Sequence, residues 1–273
     1  AVFGETIANP ALTVLDIERF AKAAHAHGVP VPEGANDNPY SIDDNLWGRA
    51  IECGVLEDPW NEPPHDVWVM TKDPEETPDT ATYVDIDFEG GKPVALDGEK
   101  MPLAALVEKL NQVAGDNGYG RLDLMENRMV GLKSRECYEV PAALTLINAH
   151  KALEDLTLER DVLHQKLYLE QTWATCVYNG QWFSPLKKAL DAFMAETQKF
   201  VTGTVRVKFF KGHCTVMGRK SPCSLYDFGL ATYDRDTTFD EKAAEGFIQI
   251  ETLSLKTWAK MQGPTSEAAA GLA

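Results

Sequence analysis

Two stretches concentrate the side chains able to bind a polar ligand. Pro39-Tyr40-Ser41-Ile42-Asp43-Asp44-Asn45-Leu46-Trp47-Gly48-Arg49 supplies hydroxyl, carboxylate, amide and guanidinium groups in a short run. Glu126-Asn127-Arg128-Met129-Val130-Gly131-Leu132-Lys133-Ser134-Arg135-Glu136-Cys137-Tyr138-Glu139-Val140-Pro141 interleaves acids with bases. Buried without partners, such strings cost stability, so each is either a solvated loop or a hydrogen-bonded network around a ligand.

Other chemistries find little support. Neither G-x-x-x-x-G-K-[ST] nor G-x-G-x-x-G occurs, and Gly118-Tyr119-Gly120 lacks the third glycine. A G-x-S-x-G elbow is missing too. His25 and His27 stand two apart, which on a helix points them in different directions, and His150, His164 and His213 are isolated. Residues 37–99 hold 17 Asp and Glu, but without helical or EF-hand ligand spacing they read as a solvated face.

Several elements must position these stretches. Leu15, Ile17, Phe20, Ala21 and Ala24 form one stripe, predicting a helix over 15–27 after an extended entry at 1–6. Pro59, Pro63, Pro64, Pro74 and Pro78 make 58–79 mostly loop, with a short strand at 67–70. Val84, Ile86 and Phe88 alternate, and Glu89-Gly90-Gly91 turns that strand into Pro93-Val94-Ala95-Leu96. Leu103, Leu106, Val107, Leu110 and Ala114 predict a helix that Pro102 opens and Gly115 caps. Pro141 opens a helical region with one break that stops at Asn179-Gly180, and Ser184-Pro185 starts another as N-cap and first residue. Val205, Val207 and Phe209 then alternate, Lys211-Gly212 turns, and 214–217 returns. A strand at 247–250 and an amphipathic helix at 253–261 complete the pattern. The fold class is α+β (or α/β): a mostly antiparallel sheet packed against several helices, with a short N-terminal strand–helix segment.

At 273 residues the chain can bury a sizeable core. Its 26 Lys and Arg against 42 Asp and Glu give a net charge of −16, which argues against nucleic-acid and membrane-surface partners. Five scattered cysteines without a C-x-x-C pair suit a reducing compartment, and the N-terminus does not read as a signal peptide, so the expected location is cytoplasmic.

Five strings resemble one family in its own order: Tyr40 to Arg49, Gly54-Val55-Leu56-Glu57-Asp58-Pro59-Trp60, Glu126 to Pro141, Val177-Tyr178-Asn179-Gly180-Gln181-Trp182-Phe183-Ser184-Pro185-Leu186, and Gly218-Arg219-Lys220-Ser221-Pro222-Cys223-Ser224-Leu225-Tyr226-Asp227. Together they resemble the C-terminal synthetase and oligomerisation domain of argininosuccinate synthase, over about residues 28–262. The resemblance implies an ATP-dependent ligase. Citrulline's ureido oxygen attacks the α-phosphate of ATP, pyrophosphate leaves, and the aspartate amine then displaces AMP.

Family residues that hold citrulline match Ser41, Glu126 and Tyr138, while a further citrulline-binding serine aligns with Ala50. The physics agrees, because an α-amino acid needs a carboxylate for its ammonium and hydroxyl donors for its carboxylate. ATP and Mg2+ are the implied co-substrate and ion. In the family, ATP is held by an N-terminal domain with an S-G-G-x-D-T-S loop, and no such string occurs in these residues. The expectation is a citrulline half-site without turnover in isolation, with aspartate and ATP as partners only if that domain is supplied. The alternative is a catalytically silent oligomerisation or binding module. Family members are tetramers with embracing C-terminal helices, so a homotetramer, or at least a dimer, is expected.

Residues 1–30 resemble a different group, the O-acetylhomoserine sulfhydrylase type of pyridoxal-phosphate enzyme, through Phe3-Gly4-Glu5-Thr6, Asn9-Pro10, Asp16-Ile17-Glu18 and Ala24-His25-Ala26-His27-Gly28-Val29-Pro30. That resemblance stops at Pro30 without a cofactor lysine region, so no pyridoxal phosphate is expected. The resulting organisation is an N-terminal segment foreign to the first family at 1–36, a synthetase/oligomerisation domain at 37–262 and a disordered tail at 263–273.

Overall fold

The computed structural model describes residues 39–233 and 237–264, together with the backbones of Ile7–Ala8 (β1) and Thr13–Val14 (β2), which pair antiparallel. The helix expected at 15–27, the extended entry at 1–6 and the tail beyond residue 264 lie outside the described residues.

Two strands come first, β3 (Ser41–Asn45) and β4 (Gly48–Glu52), followed after a long loop by β5 (Thr82–Glu89), β6 (Lys92–Leu96), β7 (Glu99–Lys100) and helix α1 (Leu103–Asp116). A second hairpin, β8 (Arg121–Asn127) and β9 (Lys133–Glu139), leads into α2 (Pro141–Thr157), α3 (Arg160–Tyr178) and α4 (Pro185–Thr197). The hairpin β10 (Gly203–Phe210) and β11 (His213–Lys220) precedes α5 (Phe228–Ala231), α6 (Ala243–Glu251) and α7 (Leu253–Gln262). The larger sheet runs β11-β10-β5-β6-β7 and the smaller β3-β4-β9-β8, every pairing being antiparallel. The architecture is α+β.

Alternation drives the larger sheet onto the helices. Val84, Ile86 and Phe88 of β5 and Val205, Val207 and Phe209 of β10 are buried on one face. Leu106, Val107 and Leu110 of α1 and Leu146, Ala149 and Leu153 of α2 meet them in one apolar cluster. Full burial of each large apolar side chain contributes about 1.5–3 kcal/mol, so this cluster supplies the main stabilisation.

The smaller sheet is one-sided. Ile51 and Cys137 pack with Leu56 and Val67 under the loop that joins β4 to β5, while the opposite face is open. Antiparallel sheets tolerate this division between a packed and a solvated face.

Three polar anchors hold that loop down. Glu139, fully buried, accepts hydrogen bonds from the backbone N–H groups of Val69 (3.0 Å), Met70 (2.9 Å) and Thr71 (3.0 Å), from the Thr71 hydroxyl (2.8 Å) and from Arg49 (3.2 Å). Arg121 grips Thr71 and Asp73, and Arg135 donates to the carbonyls of Asp58 and Asn61 while pairing with Asp123 at 2.6 Å. The expected strand at 67–70 is therefore absent. Its backbone donors are taken by a buried carboxylate in place of a neighbouring strand.

Three other expectations also change. Residues 247–250 lie in α6, because a four-residue stretch with three apolar residues is ambiguous in period and the preceding Ala243, Ala244 and Glu245 favour helix. Gly115 does not cap α1; it is buried within it, where a Cβ would come within 2.0 Å of the Met70 carbonyl oxygen. The turn falls instead at Gly118, with φ of +75°. The Glu126 to Pro141 string, left open between loop and network, forms most of a β-hairpin and the entry to α2.

Candidate functional site

The strand register decides which polar side chains share the open face of the smaller sheet. Directly opposed residues in antiparallel strands point the same way, and alternate residues along a strand point oppositely. Ser41 pairs with Glu52, Ala50 with Tyr138, Leu122 with Tyr138 and Glu126 with Ser134. Ser41, Ala50, Glu52, Glu126, Ser134, Glu136 and Tyr138 therefore all face outward, while Arg49, Ile51, Arg135, Cys137 and Glu139 face the loop.

Glu126 and Tyr138, both predicted from the sequence, lie on adjacent strands of one face but four residues apart in register, roughly 14 Å in backbone position, and Glu136 stands between them. Ser41 shares their face but stands on the far edge strand, three strand spacings or roughly 14 Å from Glu126 in backbone position. Ala50 places a methyl group beside Tyr138.

The centre of the face is a charge network that the sequence reading only partly named. Arg128 reaches Glu126 at 3.1 Å, Glu52 at 3.5 Å and Glu136 at 3.8 Å, so one guanidinium serves three carboxylates. Glu126 also accepts from the Ser134 hydroxyl at 3.0 Å and from the Tyr178 hydroxyl at 2.7 Å. Tyr178 is the last residue of α3 and lies 52 positions along the chain. The Tyr138 hydroxyl donates to Glu136. The neighbouring bases go elsewhere, Lys133 to Asn127 and Arg135 to Asp123.

Protonation follows from these contacts. The Tyr178 hydroxyl, helped by Arg128 and Ser134 and opposed by burial, holds the Glu126 carboxyl down at about 2. Burial and the nearby Glu126 and Glu52 push Glu136 upward. Tyr138 is raised by burial and by the Glu136 carboxylate, so its phenol remains a neutral donor throughout the physiological range. The face therefore offers an ionised carboxylate and, farther along it, a neutral phenol, with negative charge in excess. A ligand ammonium would complement it.

Glu52, Arg128, Ser134, Glu136 and Tyr178 were not singled out as site residues. Arg128, Ser134 and Glu136 lay inside the string already marked, whereas only the order of the Val177 to Leu186 string pointed toward Tyr178.

The larger cavities carry less chemistry. One of about 700 Å³ is lined by His150, Lys166, Trp173, Asp191, Met194 and Gln198. Its polar groups answer one another: Lys166 with Glu154 at 3.1 Å, His150 with Gln198 at 2.7 Å and Trp173 with Asp191 at 2.8 Å. Among the described residues no group of three or more His, Cys, Asp or Glu could hold a metal ion.

Comparison with known proteins adds a sharp result. The family described as "Arginosuccinate synthase C-terminal domain" matches residues 40–258. The chain is 54% identical over 245 residues to the argininosuccinate synthase of Rubrobacter xylanophilus, covering 90% of this chain and 60% of that protein. It is 58% identical over 233 residues to the argininosuccinate synthase of Bacillus licheniformis, covering 85% and 58% respectively. The counterpart from Listeria welshimeri is 56% identical over 238 residues, covering 87% and 59%. The chain spans about three fifths of the length of these curated relatives.

Proposed function

The chain belongs to the argininosuccinate synthase family, and from that premise we propose that it carries the citrulline half-site of an ATP-dependent ligase joining citrulline to aspartate. The observation that carries this reading is the half-buried Glu126 carboxylate on the open face, kept ionised by Tyr178, Arg128 and Ser134, with the neutral phenol of Tyr138 farther along the same face. Glu126 takes the α-ammonium of citrulline. The Tyr138 hydroxyl, turning from Glu136, and, at the far edge, the Ser41 hydroxyl donate to its oxygen atoms. The methyl of Ala50 leaves this chain one hydroxyl short of the family set.

ATP binding is assigned elsewhere. The described site has no Gly-rich backbone cradle for a leaving pyrophosphate, and no S-G-G-x-D-T-S string occurs in the 273 residues. The half-site presents citrulline, and a nucleotide-binding domain supplies ATP, Mg2+ and aspartate. We also assign a homotetramer, since α6 and α7 expose Phe247, Ile250, Leu253, Leu255, Trp258 and Met261. The cytoplasm is the proposed location. No described helix is long and apolar enough to cross a membrane.

A turnover assay with and without an added family nucleotide-binding domain tests the division of labour. The chain alone is expected to release no citrulline-dependent pyrophosphate, and the mixture to release it. Release by the chain alone would contradict the assignment of ATP elsewhere. No release from a mixture shown to associate would favour a catalytically silent binding module, the alternative that Ala50 supports.

A further inference from the structure

We infer that Tyr178 is a positioning residue for the amino-acid site, orienting the Glu126 oxygen that receives the substrate ammonium. The inference rests on the citrulline reading above. It begins from the acceptor capacity of a carboxylate, which offers about four lone-pair positions over its two oxygens. On Glu126, Oε2 accepts from Arg128 at 3.1 Å and Ser134 at 3.0 Å, which makes it the more crowded of the two oxygens. Oε1 accepts from Tyr178 at 2.7 Å, and the Glu136 carboxyl also hydrogen-bonds Glu126. A ligand ammonium meets the less crowded oxygen, the one that Tyr178 holds.

Two donors on Oε2 fix that oxygen but restrain the carboxylate plane weakly, because its terminal torsion is broad. The Tyr178 hydroxyl supplies the missing anchor on the other oxygen. Both functional atoms are then defined before a substrate arrives, which is how preorganisation gains affinity.

The corner between α3 and α4 is built to keep that hydroxyl still. The Asn179 N–H donates to the Thr175 carbonyl at 3.0 Å, and Gln181 N–H donates to the carbonyl of buried Cys176 at 2.8 Å. Gly180 turns the chain with φ of +69°. Ser184 caps α4 by accepting from Lys187 N–H. Lys187 is buried, with Nζ 3.6 Å from the Trp182 ring centroid and 2.9 Å from Asp191, which also accepts from Trp173. The Val177 to Leu186 string thus has a role: it sets the position of a residue at its own start.

The plain alternative is a tether, in which the Tyr178 hydroxyl merely holds α3 against the β8–β9 hairpin. Tyr178→Phe in the 273-residue chain separates the two, read beside Glu126→Gln by three measurements: thermal melting, the carboxyl titration of Glu126 by carbon-13 NMR, and citrulline calorimetry. Tyr178 is 50% exposed and the substitution keeps its ring, so the variant is expected to fold. Positioning predicts near-unchanged melting, a Glu126 titration displaced upward from about 2, and a Kd for citrulline about tenfold weaker at pH 7. A lowered melting temperature with unmoved titration and affinity would show a tether and overturn the inference. Should Glu126→Gln weaken citrulline while Tyr178→Phe does not, the inference falls and the citrulline reading stands. Should neither variant change affinity, both fall.

Discussion

Replacing Glu139 by Gln removes one charge and almost no volume, yet the structure makes it one of the most damaging single changes to this chain. Glu139 is fully buried on β9, with Oε1 accepting from Met70 N–H, Thr71 N–H and the Thr71 hydroxyl, and Oε2 accepting from Val69 N–H and Arg49. A glutamine amide must put its NH2 group against one of these two sets of donors. Its less damaging orientation faces Val69 and Arg49, which loses two charge-assisted hydrogen bonds worth about 1.5–3 kcal/mol each and leaves Arg49 buried without its carboxylate. The sum, about 3–6 kcal/mol, agrees with the roughly 3–5 kcal/mol expected on breaking a buried ion pair. Urea titration at pH 7 reads the stability change. Hydrogen exchange at Val69, Met70 and Thr71 reads the local consequence, and their protection should fall further than that of β5. A loss below about 1 kcal/mol with unchanged exchange would refute the view that this carboxylate pins the loop over the packed face of the smaller sheet.

Ser184→Ala should cost about 1 kcal/mol in chemical denaturation by removing the acceptor for Lys187 N–H at the start of α4. Gly115→Ala should destabilise by about 1–3 kcal/mol despite the better helix propensity of alanine, because its Cβ meets the Met70 carbonyl; a stabilised variant would contradict that packing. The two carboxylates at the site should show opposite pH signatures. Glu126 is held below its ordinary value, so its stabilising contribution is complete above about pH 4.5 and is lost as pH falls toward 2, and the melting difference between the native chain and Glu126→Gln should close over that window. Glu136 is raised by burial, so the folded chain binds its proton more readily than the unfolded chain does. Its ionisation above pH 4.5 costs stability, and Glu136→Gln should narrow its deficit, or gain stability, as pH rises from 4 to 7.

Legibility from sequence follows the range of the forces involved. The hairpin at Gly90-Gly91, the break between α2 and α3 and the Ser184-Pro185 helix start are written in local periodicity and caps, and they appear where the residues place them. The strand expected at 67–70 fails because a residue 68 to 70 positions away, Glu139, takes the backbone donors. Gly115 has the composition of a cap, yet it is a contact point for a loop distant in sequence. At the site, the polar density of residues 126–141 was visible, but its meaning depended on register. Alternation within β9 sends Arg135 and Glu139 to the packed face and Ser134, Glu136 and Tyr138 to the open one. Tyr178 lies in a string that stands out in the sequence, but its contact with Glu126 arises only in the tertiary structure, from the end of a helix that periodicity predicts but cannot orient.

Calorimetric titration of the chain with citrulline, native against Glu126→Gln and accompanied by thermal melts of both, tests the assignment of the open face most directly. An ammonium paired to Glu126 Oε1 predicts saturable binding that weakens about ten- to a hundredfold in the variant, the equivalent of one charge-assisted hydrogen bond of about 1.5–3 kcal/mol. Affinity left unchanged while the melting temperature drops would make Glu126 a scaffold carboxylate and contradict the assignment.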